Sequence, residues 1–517
     1  MKKYCILTLA FLLTIGSTFA IEETPKKKSW LKKDKNEVVL KKEKKSKKVE
    51  VKEIEFPVVT SFKKNIQTLS TKTIEECVNY AINNNPSLAV SREQVKAAKI
   101  GVNIQKANFA PRLTARVNYN HAMNKSENIP TTNRDSLGFN AGISQLIWDF
   151  GKTTARINMA KYNTLSAQYD YDYDLLEISY SVKTSYYKVL MALANLDIYE
   201  QNVRINTLNY ERTKAMFEEG LKSKIDVVNA EVNLADSKIQ LVNGQNNLAN
   251  CILNLKYSMN YSDSNNFIVQ NTENFGFLKA DYKKKIQSID EVKPSGFNFK
   301  KNEDGLIMLS SGIEHNDILQ DYELKPFKLT RQEAVDKAFE NRPDLKSNRM
   351  VKNVQEESLK VIKRSYSPDL TADLSWGYTK TESTYSSPLQ VGVGMGLGSV
   401  NPVGIHYQVQ EGETYLDIAK HNINMAKNSI FWEVQNNYIN MRQLERKIPL
   451  MSEKVKATLE NFQLADGRYS VGLNNYVELQ DALANYNNAQ LNFVQAVFEY
   501  NVARETLIKS MGILNYE

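Results

Sequence analysis

The residue types that usually carry enzyme chemistry are present in this sequence, but their spacing matches no catalytic or metal site. The four histidines, at positions 121, 315, 406 and 421, are scattered without the short intervals that metal ligands need. The chain also lacks a phosphate-binding loop, a nucleophile elbow and a dinucleotide-binding fingerprint. The sequence therefore predicts a protein that is not an enzyme and that uses no cofactor and no metal.

Two carboxylates are spaced so that their negative charges could act together on passing ions. Glu478 and Asp481 are three residues apart, which places both on one face of a helix. If several copies surrounded a pore, the pair would form two stacked acidic rings that select cations. Acidic residues in the first turns of a helix also stabilise its dipole, so the residues alone leave both roles open.

These carboxylates belong to the last of four long predicted helices, which form two hairpins. In the first hairpin, the first helix is predicted at Lys152–Glu219, which contains neither glycine nor proline. The chain then turns at Gly220-Leu221, and the second helix returns over about Ile225–Tyr261. At ~1.5 Å per residue, its first helix would be on the order of 100 Å long. A helix of that length either builds a fibrous coiled coil or crosses a wide compartment.

The second hairpin has the same plan. Its helices are predicted at about Glu413–Asp466 and Asn475–Met511, with a turn at Gly467–Gly472 between them. Pro449 predicts a kink or a local break in the first of these helices. Apolar residues recur at helical spacing in the last helix, which indicates packing between helices.

The two hairpins are parts of an internal repeat. Thr73-x-x-Glu76 is a capping box before an apolar-periodic helix, and Thr330-x-x-Glu333 repeats it 257 residues later. Each copy continues with a second helix, two strands and a long hairpin. The sequence therefore predicts two repeats of about 200 residues each.

Four segments alternate between apolar and polar residues over about ten positions. They are Leu113–Tyr119, Leu137–Ile143, Leu370–Tyr378 and Val403–Val409, and Gly392–Gly398 is predicted as a flexible loop or a strand end. This alternation is typical of membrane β-strands, although a half-buried strand of a soluble sheet has it too. Aromatic residues near the strand ends favour the membrane interpretation.

Four membrane strands cannot close a barrel, because about eight is the practical minimum. An open sheet in lipid would leave backbone groups at its edges unsatisfied. Several chains must then share one barrel. Three chains would supply 12 strands, whereas two would supply eight and leave little lumen.

The remaining segments divide the chain. Residues 1–20 have the basic start, apolar core and small residues of a secretory signal peptide. Residues 21–70 form a Lys-rich segment that is predicted to be disordered. The two repeats occupy 71–262 and 329–517, and the polar, irregular residues 263–328 are predicted as an inserted surface segment.

The net charge of +8 comes mostly from the N-terminal segment. For an exported chain, a nucleic acid is not an expected partner. The Lys-rich segment could contact anionic lipid, contact the cell wall or be surrounded by solvent alone, and the sequence does not distinguish these alternatives. Cys77 and Cys251 could form a disulfide in an oxidising compartment, but two buried free thiols are the favoured interpretation.

The order of elements resembles the TolC-type outer-membrane efflux protein family over about residues 70–515. The best local match is Arg468-Tyr469-Ser470-Val471-Gly472-Leu473, and weaker matches are Phe217–Leu221 and Phe150-Gly151. The resemblance implies a homotrimer with a shared 12-stranded barrel in outer-membrane lipid and a helical tunnel across the periplasm. It also implies a periplasmic adaptor protein and an inner-membrane pump as partners.

The resemblance assigns expectations to the tips of the hairpins. Gly220, Leu221, Gly472 and Leu473 would form the surfaces that an adaptor contacts, although glycine at such a position also simply permits a tight turn.

The resemblance also assigns gate residues. Tyr469 would bond Asp226 to hold the gate closed, and Glu478 and Asp481 would form the selectivity rings. The arginine that locks the gate in the family would fall at Asn474, so that ionic lock is predicted to be missing.

The predicted fold is mixed α and β, with two repeats of long helical hairpins and four membrane strands per chain. The predicted function is a passive duct of a tripartite efflux or type I secretion system, located in the outer membrane and extending into the periplasm. An exported coiled-coil structural or adhesion protein without channel activity is the alternative. The sequence indicates neither the substrate nor the class of pump.

Overall fold

The computed structural model describes most of the two predicted repeats. The predicted signal peptide (1–20), the Lys-rich segment (21–70) and almost all of the inserted segment (263–328) lie outside the described residues. The described ranges are 71–126, 129–261, 268–269, 324, 326–381, 384–398 and 400–514.

The two halves of the chain repeat one order of elements. The first half contains β1 (Thr71–Lys72), α1 (Ile74–Asn84), α2 (Pro86–Lys106), β2 (Arg112–Ser126), β3 (Ile129–Trp148), α3 (Lys152–Glu218), α4 (Lys224–Ser258) and β4 (Ile268–Val269). The second half contains α5 (Arg331–Asn341), α6 (Pro343–Lys363), β5 (Asp369–Thr381), β6 (Tyr385–Ser386), β7 (Leu389–Gly396), α7 (Pro402–Ser470) and α8 (Tyr476–Ser510).

Both capping boxes predicted from the sequence are formed. Thr73 Oγ1 accepts the N–H of Glu76 at 3.2 Å, and the Glu76 carboxylate accepts the N–H of Thr73 at 3.0 Å. The same two bonds join Thr330 and Glu333, at 3.3 and 2.8 Å. These bonds satisfy backbone groups at the start of α1 and α5, and they begin each repeat in the same way.

The entry into α3 is a capped turn. Asp149 accepts the N–H of Gly151 at 3.1 Å and the N–H of Thr153 at 2.5 Å. Phe150 and Gly151 adopt φ angles of 57° and 83°, in the left-handed region. The capped turn thus joins the end of β3 to α3, which then continues unbroken to Glu218, as predicted.

The larger strands form one antiparallel sheet in the order β2-β3-β5-β7, and the short β6 also pairs with β5. The register aligns apolar residues across the strands: Leu113 opposes Ile143, Ile143 opposes Leu374, and Leu374 opposes Val391. The alternate positions are polar or glycine, such as Gly142. The sheet therefore has one continuous apolar face and one polar face.

The fourth strand is not where the sequence predicted it. Val403–Val409 lies inside α7, and β7 is formed by residues 389–396, which the sequence predicted as a loop or a strand end. In β7, Leu389, Val391, Val393 and Met395 form the apolar face, and glycine at the alternate positions hid the strand signal. Pro402 at the first helical turn starts α7 instead, with Asn401 capping it.

The second long helix is more continuous than predicted. α7 begins at Pro402 rather than near Glu413, passes Pro449 without a break and continues through Gly467 to Ser470. The predicted local break at Pro449 was wrong, because the helix continues through this residue, next to the buried Ile448. The alternative, a kink at Pro449, stays a prediction. The turn between α7 and α8 is correspondingly shorter than predicted.

The helices pack in two sets that share α6 and α8. α3 packs along α2, α4, α6 and α8, whereas α7 packs along α5, α6 and α8. One apolar core runs through both hairpins. Among the described residues, no helix combines the length and the apolar composition that a membrane crossing needs.

The two thiols do not form a disulfide. Cys77 is buried in α1 and Cys251 is partly buried in α4, and both are free. The thiols are free, as the sequence favoured, but only Cys77 is buried as expected. Burial raises the pKa of the Cys77 thiol to about 12.

Candidate functional site

The tip of each hairpin is the end at which its two helices are joined. The first hairpin consists of α3 and α4, and the second of α7 and α8. Gly220 and Gly472 adopt φ angles of 75° and 79° at the two tips. Their N–H groups bond the carbonyl three residues back, at 2.9 and 3.0 Å, and those of Leu221 and Leu473 bond the carbonyl five residues back, at 2.8 and 2.9 Å. This is the Schellman ending, in which glycine avoids the steric penalty of a positive φ.

Both tips expose apolar side chains. Leu221 is 72% exposed and Leu473 is 78% exposed, and Val471 and Ile225 are also exposed beside them. Apolar groups gathered at one end of a structure are typical of an interaction surface. The four residues predicted to contact an adaptor thus lie at the tips, and their contact with a partner stays a prediction.

The predicted bond between Tyr469 and Asp226 is not formed within the chain. The Tyr469 hydroxyl instead bonds Thr213 Oγ1 of α3 at 2.8 Å, in a fully buried position. Asp226 accepts bonds from the N–H and the hydroxyl of Ser223, at 3.2 and 2.8 Å, and so caps α4. Burial raises the pKa of the Tyr469 hydroxyl, and the charge of Asp226 acts in the same direction although Thr213 opposes it.

An ion pair that sequence reasoning missed lies next to Tyr469. Arg212 of α3 donates from Nη1 to Asp466 Oδ1 of α7 at 2.8 Å, and the arginine side chain is only 9% exposed. The guanidinium carbon lies 5.9 Å from the centre of the Tyr469 ring, and Lys222 Nζ lies 4.7 Å from it. The tyrosine is therefore flanked by two cations.

Asn474 carries no charge, so it cannot form an ionic lock. Ionic contacts near the tip nevertheless join the two hairpins. The backbone carbonyl of Asn474 accepts a bond from Lys222 Nζ at 3.1 Å. Together with Arg212 and Asp466, this shows that different residues bridge the hairpins here. The sequence signal for these bridging contacts is the run of polar residues at core spacing in α3.

Glu478 and Asp481 are both exposed on α8, on one side of the helix. The N–H of Glu478 is capped by Asn475 Oδ1 at 2.8 Å. Within the described residues, neither carboxylate is part of an ion pair. A carboxylate near the helix N-terminus stabilises the dipole, so the acidic ring stays a prediction that depends on further copies of the chain.

The geometry defines a class of protein: two long helical hairpins, related by an internal repeat and joined to a four-stranded antiparallel sheet with one apolar face. The sequence matches the family model described as outer membrane efflux protein over residues 77–260 and 334–513, well over half of the chain. The chain therefore belongs to the outer membrane efflux protein family and is an outer-membrane protein. This confirms the resemblance and the location predicted from the sequence.

Individual relatives are distant. The chain is 23% identical over 171 residues to the outer membrane protein TolC of Vibrio cholerae, which covers 32% of this chain and 39% of TolC. It is 24% identical over 166 residues to the alkaline protease secretion protein AprF of Pseudomonas aeruginosa, which covers 32% of this chain and 34% of AprF. These alignments thus span less than half of either relative.

The fold is shared over a much longer range. A solved structure of the transmembrane channel CusC superposes on this chain with a TM-score of 0.66 at 16% identity. The superposition covers 86% of this chain and 93% of the CusC chain. At this identity the similarity establishes the fold alone.

Proposed function

We propose that this protein is a passive export duct, in which three copies share one 12-stranded barrel and continue as a helical tunnel across the periplasm. The observation that carries the proposal is the sheet: four long strands, one continuous apolar face, and outer strands β2 and β7 that each pair on one side only among the described residues.

The apolar face supports contact with lipid. Leu113, Val117, Val391 and Val393 are all strongly exposed on it. In hydrocarbon, the unpaired N–H and C=O groups of an edge strand have no water to bond and cost several kcal/mol each. Pairing β7 of one copy with β2 of the next removes these edges, and three copies close a barrel with an open lumen.

Exposed stripes on the helices support the same assembly. On α4, Ile225, Val232, Ile239 and Leu253 are exposed apolar residues at multiples of seven residues. On α7, Ile418, Met425, Trp432 and Ile439 are exposed at intervals of seven. Apolar residues at heptad spacing pack against a partner helix, so these stripes would form the seams between neighbouring copies in the tunnel wall.

The tips support docking to further proteins. The exposed Leu221 and Leu473 beside their glycine turns would contact a periplasmic adaptor, and an inner-membrane pump would supply the energy. The name of AprF refers to protease secretion and the family name to efflux, so both kinds of export system remain candidates. Glu478 and Asp481 would form acidic rings near the tunnel mouth and favour cations.

Three measurements test the duct. The detergent-solubilised protein should have three times the protomer mass, remain with outer membranes during a carbonate wash and pass ions in a planar bilayer. An exported structural rod would instead wash off, and it would conduct no current.

A further inference from the structure

The polar face of the sheet contains several exposed arginines. Side chains alternate between the two faces of a strand, so Arg112 and Arg116 of β2 lie on the face opposite to Leu113. By the same alternation Arg134 of β3, nine residues before Ile143, also lies on the polar face. All three arginines are exposed. In the proposed duct the apolar face contacts lipid, so these guanidinium groups lie on the side of the lumen.

The acidic side chains of the polar face do not balance the arginines. Asp369 Oδ1 lies 2.6 Å from Lys152 Nζ, so its charge is compensated by an ion pair. Asp373 is in no ion pair with a described residue, and it accepts a hydrogen bond from Thr371 Oγ1 at 2.9 Å. Three arginines and one unpaired aspartate leave a surplus of two positive charges per copy on the described part of this face.

The arginines lie at three levels along the strands, and the unpaired aspartate shares only one of them. Arg112 and Asp373 both oppose Ser144 in the register, so they lie at one level, near the helices. Arg116 is four residues further along β2, roughly 13 Å away, and Arg134 opposes a position ten residues beyond Arg112, roughly 33 Å away. At these two outer levels the described polar face contains no carboxylate.

The side chains beside Arg116 are short or lie along the sheet. Arg116 opposes Asn140, which opposes Gly377. Asn140 lies across Gly377, because a Cβ at that glycine would be 2.8 Å from Asn140 Oδ1. Asn118 lies across Gly138 in the same way, and a Cβ there would be 2.7 Å from Asn118 Oδ1. The asparagines therefore leave the space above the sheet open, and the long side chain of Arg116 can extend into it.

The neighbouring copy in the proposed barrel adds no negative charge beside these arginines. β2 is an edge strand of the sheet, so in the shared barrel it pairs with β7 of the next copy. The polar face of β7 consists of Gln390, Gly392, Gly394 and Gly396. None of these residues is charged, so assembly leaves the β2 arginines uncompensated, and three copies multiply the surplus.

Exposed arginines in a water-filled passage act on the ions that pass them. Rings of Arg or Lys favour anions, whereas rings of Asp or Glu favour cations. A guanidinium group also binds a carboxylate or a phosphate through two parallel hydrogen bonds. The range of the electrostatic effect is the Debye length, which is ~8 Å at physiological salt and ~30 Å at 0.01 M.

We propose that Arg116 and Arg134 give the barrel section of the lumen a preference for anions, and that small organic anions with carboxylate or phosphate groups are the cargo this section favours. The inference rests on the proposed duct, because it assigns a class of substrate to that same pore. The preference is opposite in sign to that of the proposed rings of Glu478 and Asp481, so the two ends of the lumen act on different ions.

The first test is the permeability ratio of chloride to potassium, measured for the full-length protein in planar bilayers with a KCl gradient. Arg116→Gln with Arg134→Gln should lower this ratio about twofold or more at roughly 10 mM KCl. Near 1 M KCl the Debye length is only ~3 Å, so the difference should nearly vanish. Arg116→Lys with Arg134→Lys keeps the charge and should retain the wild-type ratio.

The same comparison is repeated without the acidic residues of the tip. In a Glu478→Gln, Asp481→Asn background the tip contributes no charge from these positions. The loss of Arg116 and Arg134 should lower the chloride-to-potassium ratio in this background too, because the arginines act in a different section of the lumen.

The second test is block of the current by inositol hexakisphosphate, a small polyphosphate. It should reduce the wild-type current at low salt, because its phosphates bind the arginines in the lumen. The Arg116→Gln, Arg134→Gln variant should need about tenfold more of it for half-block, since charge-assisted hydrogen bonds are lost.

The matched control is a cation on the other face of the same sheet. Lys380 of β5 is exposed and opposes Leu137, which lies on the apolar face six residues before Ile143. Lys380→Gln removes one positive charge without changing the lumen, so the permeability ratio and the block should match the wild type. An equal effect of Lys380→Gln would contradict the assignment to the lumen.

Trimers of the Arg116→Gln, Arg134→Gln variant that keep the wild-type ratio and the wild-type block would overturn the proposal. If this variant does not assemble, the wild type decides, because a conducting wild type that the polyphosphate does not block at low salt contradicts the anion preference. A monomer that passes no current contradicts the duct itself, whereas conducting trimers without the arginine effect contradict this inference alone.

Discussion

The hydroxyl of Tyr469 lies 2.8 Å from Oγ1 of Thr213, which is 256 residues earlier in the chain and on the other hairpin. The same threonine hydroxyl donates to the carbonyl of Asn209 at 2.7 Å. The Thr213 hydroxyl thus takes part both in a bond within α3 and in the contact with α7, and either hydroxyl can be the donor between the hairpins. This buried bond and the neighbouring Arg212–Asp466 ion pair together join one face of α7 to α3 at the tip.

The partner of Tyr469 can be tested by double-mutant cycles of unfolding. Tyr469→Phe should cost about 1 kcal/mol, the net value of one neutral hydrogen bond. Its effect should be strongly non-additive with Thr213→Ala and additive, within about 0.5 kcal/mol, with Asp226→Ala. The reverse pattern would mean that Tyr469 bonds Asp226 after all.

The glycines of α7 and its turn should respond to alanine in opposite directions. Gly472→Ala places a side chain at a φ of 79° and should destabilise the protein by about 1 kcal/mol, measured by thermal unfolding. Gly467→Ala is the matched control, because Gly467 lies within α7 with open space around it. It should stabilise the protein by roughly 0.5–1 kcal/mol, and equal effects at both positions would contradict the assigned turn.

The revised fourth strand predicts which substitutions the membrane tolerates. Val393→Arg places a charge on the apolar face of β7 and should cost about 2–4 kcal/mol at mid-membrane depth, with loss of stable trimer from the outer-membrane fraction. Gln390→Arg, on the opposite face of the same strand, should be tolerated. If Gln390→Arg were the damaging change, the face assignment would be reversed.

The two thiols should differ in reactivity. Burial raises the pKa of Cys77 to about 12, so its thiolate, the reactive form, is scarce at pH 8. Cys251 is partly exposed, and burial also raises its pKa. A maleimide should therefore label Cys251 first, and Cys77 only after denaturation or at much higher pH. Rapid labelling of Cys77 in the native protein would show that α1 is not packed as described.

Features set by neighbouring residues could be predicted from the sequence, and features set by distant ones could not. The capping box at Thr73 and the glycine turn at Gly472 are local, so residue type alone indicates them. In β7, glycine at alternate positions removed the usual strand signal, and only pairing with β5 reveals the strand. The partner of Tyr469 depends on how α7 rotates against α3, which no local pattern encodes.

The mass of the purified complex in mild detergent shows directly whether identical copies close the barrel. The exposed edges of β2 and β7 and the heptad stripes on α4 and α7 predict three protomers per particle. A stable monomer would contradict the shared barrel, because a four-stranded sheet with open edges could then exist in lipid without identical neighbours.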